Sequence, residues 1–133
     1  MQPGEELPFR KFYVGAVLVV AVHSLALGAI LTFKPSLFLE AAGWPSADNL
    51  FFPSQSGIFL VILGGGYCAA LKYPRMVYFI LFSKVVAISF LGTPYFFLNA
   101  PRPVLSAFLG DSAFTVLLVL VILLNRRGKA LAG

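Results

Sequence analysis

Four long apolar stretches fill most of this chain of 133 residues and decide what it can fold into. They cover about residues 12–33, 54–73, 76–98 and 104–124. An α-helix rises about 1.5 Å per residue, so about 20 residues cross the ~30 Å hydrocarbon core of a bilayer. Each stretch is long enough to cross once. The pattern therefore predicts an all-α integral membrane protein, with four transmembrane helices in one bundle and one domain over residues 1–133.

Composition supports this prediction. Hydrophobic residues make up 59% of the chain and charged residues only 11%, and the mean hydropathy is +0.91. A soluble protein of 14.4 kDa would need more polar surface than this. The net charge of +5 would raise the question of nucleic acid in a soluble domain. Here the charges lie mostly between and beyond the apolar stretches, so we expect the lipid bilayer, and no nucleic acid, as the partner.

The distribution of basic residues predicts the orientation. If the four stretches cross a membrane, two basic residues, Lys34 and Arg102, fall on one side. Seven fall on the other: Arg10, Lys11, Lys72, Arg75, Arg126, Arg127 and Lys129. Short loops rich in Lys and Arg stay in the cytoplasm. We therefore expect a multi-pass protein of the cell (inner) membrane with both termini cytoplasmic.

The first external loop, residues 34–53, is expected to contain a short helix. Pro35 stands where a helix can start, and apolar residues recur at helical spacing until Gly43. Trp44, Phe51 and Phe52 would anchor such a helix in the membrane interface. Two interpretations of this segment remain: a lid over the bundle, and an ordinary aromatic belt. The belt is the commoner arrangement.

The second stretch is rich in small residues, with Gly64, Gly65 and Gly66 in succession. Small residues four positions apart allow neighbouring helices to approach closely. Consecutive glycines also weaken a helix, so the segment could instead unwind beside a ligand. Close packing is the favoured interpretation.

Polar residues in or beside the stretches mark candidate sites. An ionisable side chain at the bilayer centre costs roughly 2.5 to 3.5 kcal/mol, so it normally faces a partner or a cavity. By helical rise, Lys84 and Asp111 lie on the order of 9 Å apart in depth, which the two side chains can bridge. We therefore expect an ion pair between them. It would either lock two helices together or form part of a polar cavity.

The predicted ligand-binding set adds three residues to this pair: His23 near mid-membrane, Gln55 at the outer mouth and Tyr67 on the glycine-rich stretch. A buried histidine can carry protons, contact a ligand or simply donate a hydrogen bond to a carbonyl. No catalytic residue can be named. Zinc needs at least three ligands at one depth, which His23, Cys68 and Asp111 do not supply, so we expect no metal site.

Several short motifs resemble the DoxX-like family of small bacterial membrane proteins. They are Phe33-Lys34-Pro35, Gly43-Trp44-Pro45, Gln55-Ser56-Gly57, Tyr67 at the end of the glycine-rich stretch, and Lys84 in the third stretch. The resemblance covers nearly the whole chain. It implies a four-helix membrane bundle. Because founding members are similar to the membrane subunit of a thiosulfate:quinone oxidoreductase, it also implies a quinone cofactor, with Gln55 and His23 as hydrogen-bond partners.

Three function classes remain open. The first is a ligand-binding or redox-accessory subunit with a site for a lipid- or quinone-like molecule, acting with a partner membrane subunit or as a homo-oligomer. The second is an isomerase-type membrane enzyme in which His23 and Asp111 exchange protons with a lipid-like substrate. The third is a small proton-coupled exporter, which ranks last because the first stretch has no acidic residue.

Overall fold

The fold is described here from a computed structural model, which covers residues 7–44, 48–98 and 102–132. These residues form only helices and connections, with no strand. The elements are α1 (Arg10–Phe33), α2 (Pro35–Ala41), α3 (Phe51–Lys72), a 3₁₀ turn (Pro74–Met76), α4 (Val77–Phe97) and α5 (Pro103–Ala132). Four of the helices are long and apolar enough to cross a membrane. The predicted all-helical class with four long apolar helices is confirmed.

The predicted boundaries agree with the helices to within three residues except at one point. The fourth apolar stretch ends near residue 124, but α5 continues to Ala132. Hydropathy marks only the part of a helix that suits hydrocarbon, whereas backbone hydrogen bonding continues through polar residues. The extension matters because its first residue, Asn125, is fully buried.

The predicted short helix in the first loop is present as α2. Pro35 occupies its first turn. It ends in a Schellman arrangement: the Gly43 N–H donates to the Glu40 carbonyl (3.0 Å) and the Trp44 N–H to the Leu39 carbonyl (2.8 Å). Gly43 has a φ of 71°, which glycine adopts without steric cost. Pro45 and the rest of residues 45–47 lie outside the described residues.

The long helices pack as two pairs, α1 with α3 and α4 with α5, and contacts between α1 and α5 join the pairs. Although α3 and α4 are consecutive, they contact each other little. The apolar core lies mainly where α1, α3, α4 and α5 meet. Its fully buried members include Tyr13, Val17, Val20, Tyr67, Val77, Ile80 and Leu118.

Glycines make the α1–α3 contact close. A Cβ atom on Gly28 would lie 2.8 Å from the Gly57 carbonyl oxygen, and one on Gly57 would lie 2.6 Å from the Thr32 nitrogen. A Cβ on Gly64 would lie 2.7 Å from Leu25 Cγ, but one on Gly65 would meet nothing within 4 Å. Since α3 is an unbroken helix, close packing rather than unwinding accounts for Gly57 and Gly64.

One end of the bundle, the terminal end, holds the start of α1, the turn between α3 and α4, and the last turns of α5. There the Tyr13 hydroxyl donates to the Ala70 carbonyl at 2.9 Å. The Phe9 N–H donates to Asn125 Oδ1 at 3.1 Å. These bonds tie the start of α1 to α3 and to α5. The opposite end, the loop end, holds α2 and the contact between Gly92 and the Phe108 ring.

Candidate functional site

The predicted ion pair forms between α4 and α5. Lys84 Nζ donates to Asp111 Oδ1 at 2.6 Å. The side chains of Lys84 and Asp111 are only 6% and 16% exposed. A charge-assisted bond this short, at a site with little water, fixes the two helices in register.

The sequence places both charges on packing faces. On α4, Ile80 follows Val77 by three residues and Lys84 follows Ile80 by four. Val77 and Ile80 are buried, so Lys84 continues the packed face of this helix. On α5, Asp111 lies midway between buried Val104 and Leu118 at seven-residue intervals. Seven residues make nearly two turns, so all three lie on one seam.

Phe114, one turn beyond Asp111, connects the pair to α1. Its ring centroid is 4.8 Å from that of His23, with 57° between the ring planes. Lys84 Nζ lies 5.4 Å from the same ring centroid. The ammonium and the imidazole therefore both contact one aromatic ring, and His23 is brought next to the ion pair.

Unlike the pair, His23 is exposed on the surface of the chain. The neighbouring Ser24 side chain is buried, and its hydroxyl oxygen has no hydrogen-bond partner within the described part of the chain. In a membrane helix a serine usually bonds back to its own backbone. An imidazole at the surface and an unsatisfied hydroxyl beside it leave hydrogen-bonding capacity on α1.

Tyr67 adds α3 to the same level of the bundle. Leu25 contacts Gly64, so in the antiparallel α1–α3 pair His23 and Tyr67 differ in height by only about one residue. The Tyr67 and Ser83 hydroxyl oxygens are 2.6 Å apart. Because Ser83 donates its only hydrogen to the Ile80 carbonyl at 2.8 Å, the phenol must be the donor. We call His23, Tyr67, Lys84 and Asp111 the polar layer.

The remaining hydroxyls near this level donate hydrogen bonds to the backbone of their own helices. Ser89, Ser112 and Thr115 donate to carbonyls four residues earlier, at 2.8 to 2.9 Å. Such bonds leave little capacity for a ligand. These three hydroxyls are therefore weaker candidates for contacting a ligand than the side chains of the polar layer.

Gln55 lies apart from the other predicted site residues. It is exposed near the start of α3 and stands twelve residues, or about 18 Å of helical rise, from Tyr67. It belongs to the loop end. A ligand touching both Gln55 and His23 would have to extend along the bundle. One quinone head group is too short for this, so the expectation that both residues hydrogen-bond to the same head group does not fit the structure.

Metal-ligating residues do not cluster in residues 7–44, 48–98 and 102–132: no three His, Cys, Asp or Glu side chains come together there. Among the described residues, two cavities lie at the terminal end. One, of about 830 Å³, runs along the start of α1. The other, of about 250 Å³, lies at the turn between α3 and α4. Neither is lined by a residue of the polar layer.

In comparisons with known proteins, no family model, curated protein or solved structure matches this chain. The resemblance to the DoxX-like family therefore stays a prediction.

Sequence reasoning missed two residues that matter. Phe114 was not selected, although its spacing of three from Asp111 puts it on the same face of α5. Asn125 was missed because it follows the apolar stretch. Continuing the interval Val104, Asp111, Leu118 by seven residues would have found it.

Proposed function

We propose that the chain is an integral protein of the cell (inner) membrane that spans it four times, with both termini cytoplasmic and residues 34–53 outside. The support is the presence of four helices of sufficient length and hydropathy, together with the seven-to-two distribution of basic residues. In this arrangement the terminal end is cytoplasmic, α2 lies in the outer interface, and the polar layer lies near mid-membrane.

Cysteine labelling in intact cells tests this orientation. In a Cys68→Ala background, Asp48→Cys should react with a membrane-impermeant maleimide added outside. The matched Lys72→Cys variant should react only after the membrane is opened. The reverse pattern, or equal labelling of both cysteines, would refute the orientation.

We further propose that the polar layer binds a hydrophobic molecule with one polar end, such as a lipid- or quinone-like molecule. The observation that carries this proposal is the exposed imidazole of His23 beside a nearly buried ion pair. An ion pair that only locked α4 to α5 would need no exposed histidine. A polar group exposed at mid-membrane is costly unless something polar contacts it. A ligand head group that accepts a hydrogen bond meets this need.

Binding is favoured over proton transfer by the state of Asp111. Asp111 Oδ1 already accepts a hydrogen bond from the Lys84 ammonium at 2.6 Å, so this oxygen is occupied by the lysine and not by a substrate. The isomerase-type mechanism would need this pair to open during each turnover. A binding or accessory role needs no such rearrangement. A partner subunit or a second copy of the chain covering His23 is the alternative occupant.

Mass spectrometry of the purified protein tests the ligand proposal. Organic extracts of wild-type protein should contain a hydrophobic molecule in stoichiometric amount, and His23→Ala should reduce it severalfold. Cys68→Ala is the matched control, because Cys68 is exposed on α3 outside the polar layer. Equal retention by all three proteins, or stoichiometric capture of a protein subunit in place of a small molecule, would refute a small-molecule site.

A further inference from the structure

The larger cavity at the terminal end has the form of a lipid-binding groove. Its volume is about 830 Å³. Arg10 and Lys11 stand at one end of it, and Val14, Gly15 and Leu18 continue it along α1. Lys11, Val14 or Gly15, and Leu18 follow one another at helical spacing, so they form one stripe. The groove therefore has a basic head and an apolar body.

The dimensions and the position suit a phospholipid. From Arg10 to Leu18 the helix rises about 12 Å, which takes the groove from the start of the apolar helix well into its hydrophobic part. Leu18 is 41% exposed, so the apolar wall is open to the surroundings of the chain. In the proposed orientation Arg10 and Lys11 lie at head-group depth, where their long side chains reach phosphates.

Gly15 is what keeps the groove open. A Cβ atom at this position would meet nothing within 4 Å, in contrast to Gly28 and Gly57, where a Cβ would meet backbone atoms. Packing between helices therefore does not require glycine at position 15. Any side chain there would extend into the groove.

The charge around the groove favours an anionic occupant. The side chains of Arg10 and Lys11 make no ion pair or hydrogen bond within the described part of the chain. By comparison, Arg126 donates to the Tyr78 hydroxyl at 2.8 Å, and Lys72 lies over the Tyr73 ring. The described acidic residues, Glu40, Asp48 and Asp111, belong to the loop end or the polar layer, whereas Glu5 and Glu6 lie outside the described residues.

We propose that this groove is a selective binding site for an anionic phospholipid of the cytoplasmic leaflet, with its phosphate at Arg10 and Lys11 and an acyl chain along Val14, Gly15 and Leu18. It rests on the proposed membrane orientation but not on the polar layer. The site would hold the lipid beside Phe9, whose N–H donates to Asn125 of α5.

Native mass spectrometry with two probe lipids tests the proposal. Wild-type protein in detergent should bind phosphatidylglycerol more tightly than phosphatidylcholine. A cation near an anionic surface contributes about 1 kcal/mol, or roughly fivefold in affinity, so Arg10→Gln with Lys11→Gln should reduce phosphatidylglycerol binding by about 25-fold. Lys72→Gln, which removes a cation of the same end outside the groove, should change it little.

Filling the groove gives a second test that does not alter charge. Gly15→Trp should weaken binding of both lipids, whereas Gly65→Trp, at another exposed and uncrowded glycine, should not. Equal binding of the two lipids by wild type, unchanged selectivity in the double Gln variant, or equal effects of the two Trp variants would overturn the proposal. His23→Ala should leave phosphatidylglycerol binding unchanged, so loss of the ligand at the polar layer can be distinguished from loss of this site.

Discussion

The α1–α3 contact and the α4–α5 contact hold helices together by opposite means. Between α1 and α3, glycines bring backbone against backbone, and a Cβ atom at Gly57 would lie 2.6 Å from Thr32. Between α4 and α5, a lysine and an aspartate meet at 2.6 Å in a nearly buried ion pair. The first contact is specified by shape and the second by charge. Close packing of glycines in hydrocarbon carries no desolvation cost, whereas an ion pair must offset the large cost of burying two charges.

The difference is consistent with the proposed binding function of the polar layer. Close glycine packing already provides a way to join helices in lipid, so the chain does not need a charged pair for that purpose. The charged contact is also the one connected through Phe114 to an exposed histidine. In the proposed function, the α1–α3 contact contributes mainly to stability and the polar layer binds the ligand.

The largest effect is expected from removing one member of the ion pair. Lys84→Met should lower the free energy of unfolding by roughly 3 to 5 kcal/mol, because it leaves a buried carboxylate without its partner. Lys84→Met combined with Asp111→Leu should cost much less, since neither charge remains. Unfolding in mixed detergent micelles measures both. If the losses of unfolding free energy from Lys84→Met alone and Asp111→Leu alone add up to the loss in the double variant, the side chains do not act as a pair.

A smaller effect, of about 1 to 3 kcal/mol, is expected from Gly57→Ala, because the added methyl group would press on the α1 backbone. Gly65→Ala is the matched control on the same helix, where the methyl group meets nothing within 4 Å. It should be neutral or slightly stabilising, since alanine favours helix. Equal unfolding free energies for the two variants would show that α1 and α3 do not approach as closely as described.

The smallest effect is expected from Tyr67→Phe, which keeps the ring but removes the hydrogen bond to Ser83. Hydrogen bonds between membrane helices contribute about 0.6 kcal/mol on average, so the loss should be of that order. Ser83→Ala should cost a similar amount, and the double variant should cost little more than either single one. A loss of several kcal/mol from Tyr67→Phe would mean that the phenol has a further partner.

Much of the fold could be predicted because its main signal is local. Apolar length gave the four long helices, and Pro35 with Gly43 gave α2 and its end. The Lys84–Asp111 pair could also be predicted, since two opposite charges at similar depth have few other partners in lipid. Two features could not be predicted from the sequence: the pairing of α1 with α3 and the surface position of His23. Both depend on how the helices rotate against each other. The burial of Asn125 was not predicted, because hydropathy does not detect a polar residue that packs beyond the apolar stretch.

The central claim, that the ion pair serves binding more than folding, is tested most directly by the variant that carries both Lys84→Met and Asp111→Leu. Its unfolding free energy and the hydrophobic molecules extracted from it are measured on the same preparation, beside wild type. We predict a folded protein with near wild-type stability that has lost the co-purified molecule. A folded double variant that retains this molecule in full would contradict the claim and leave the pair a purely structural contact.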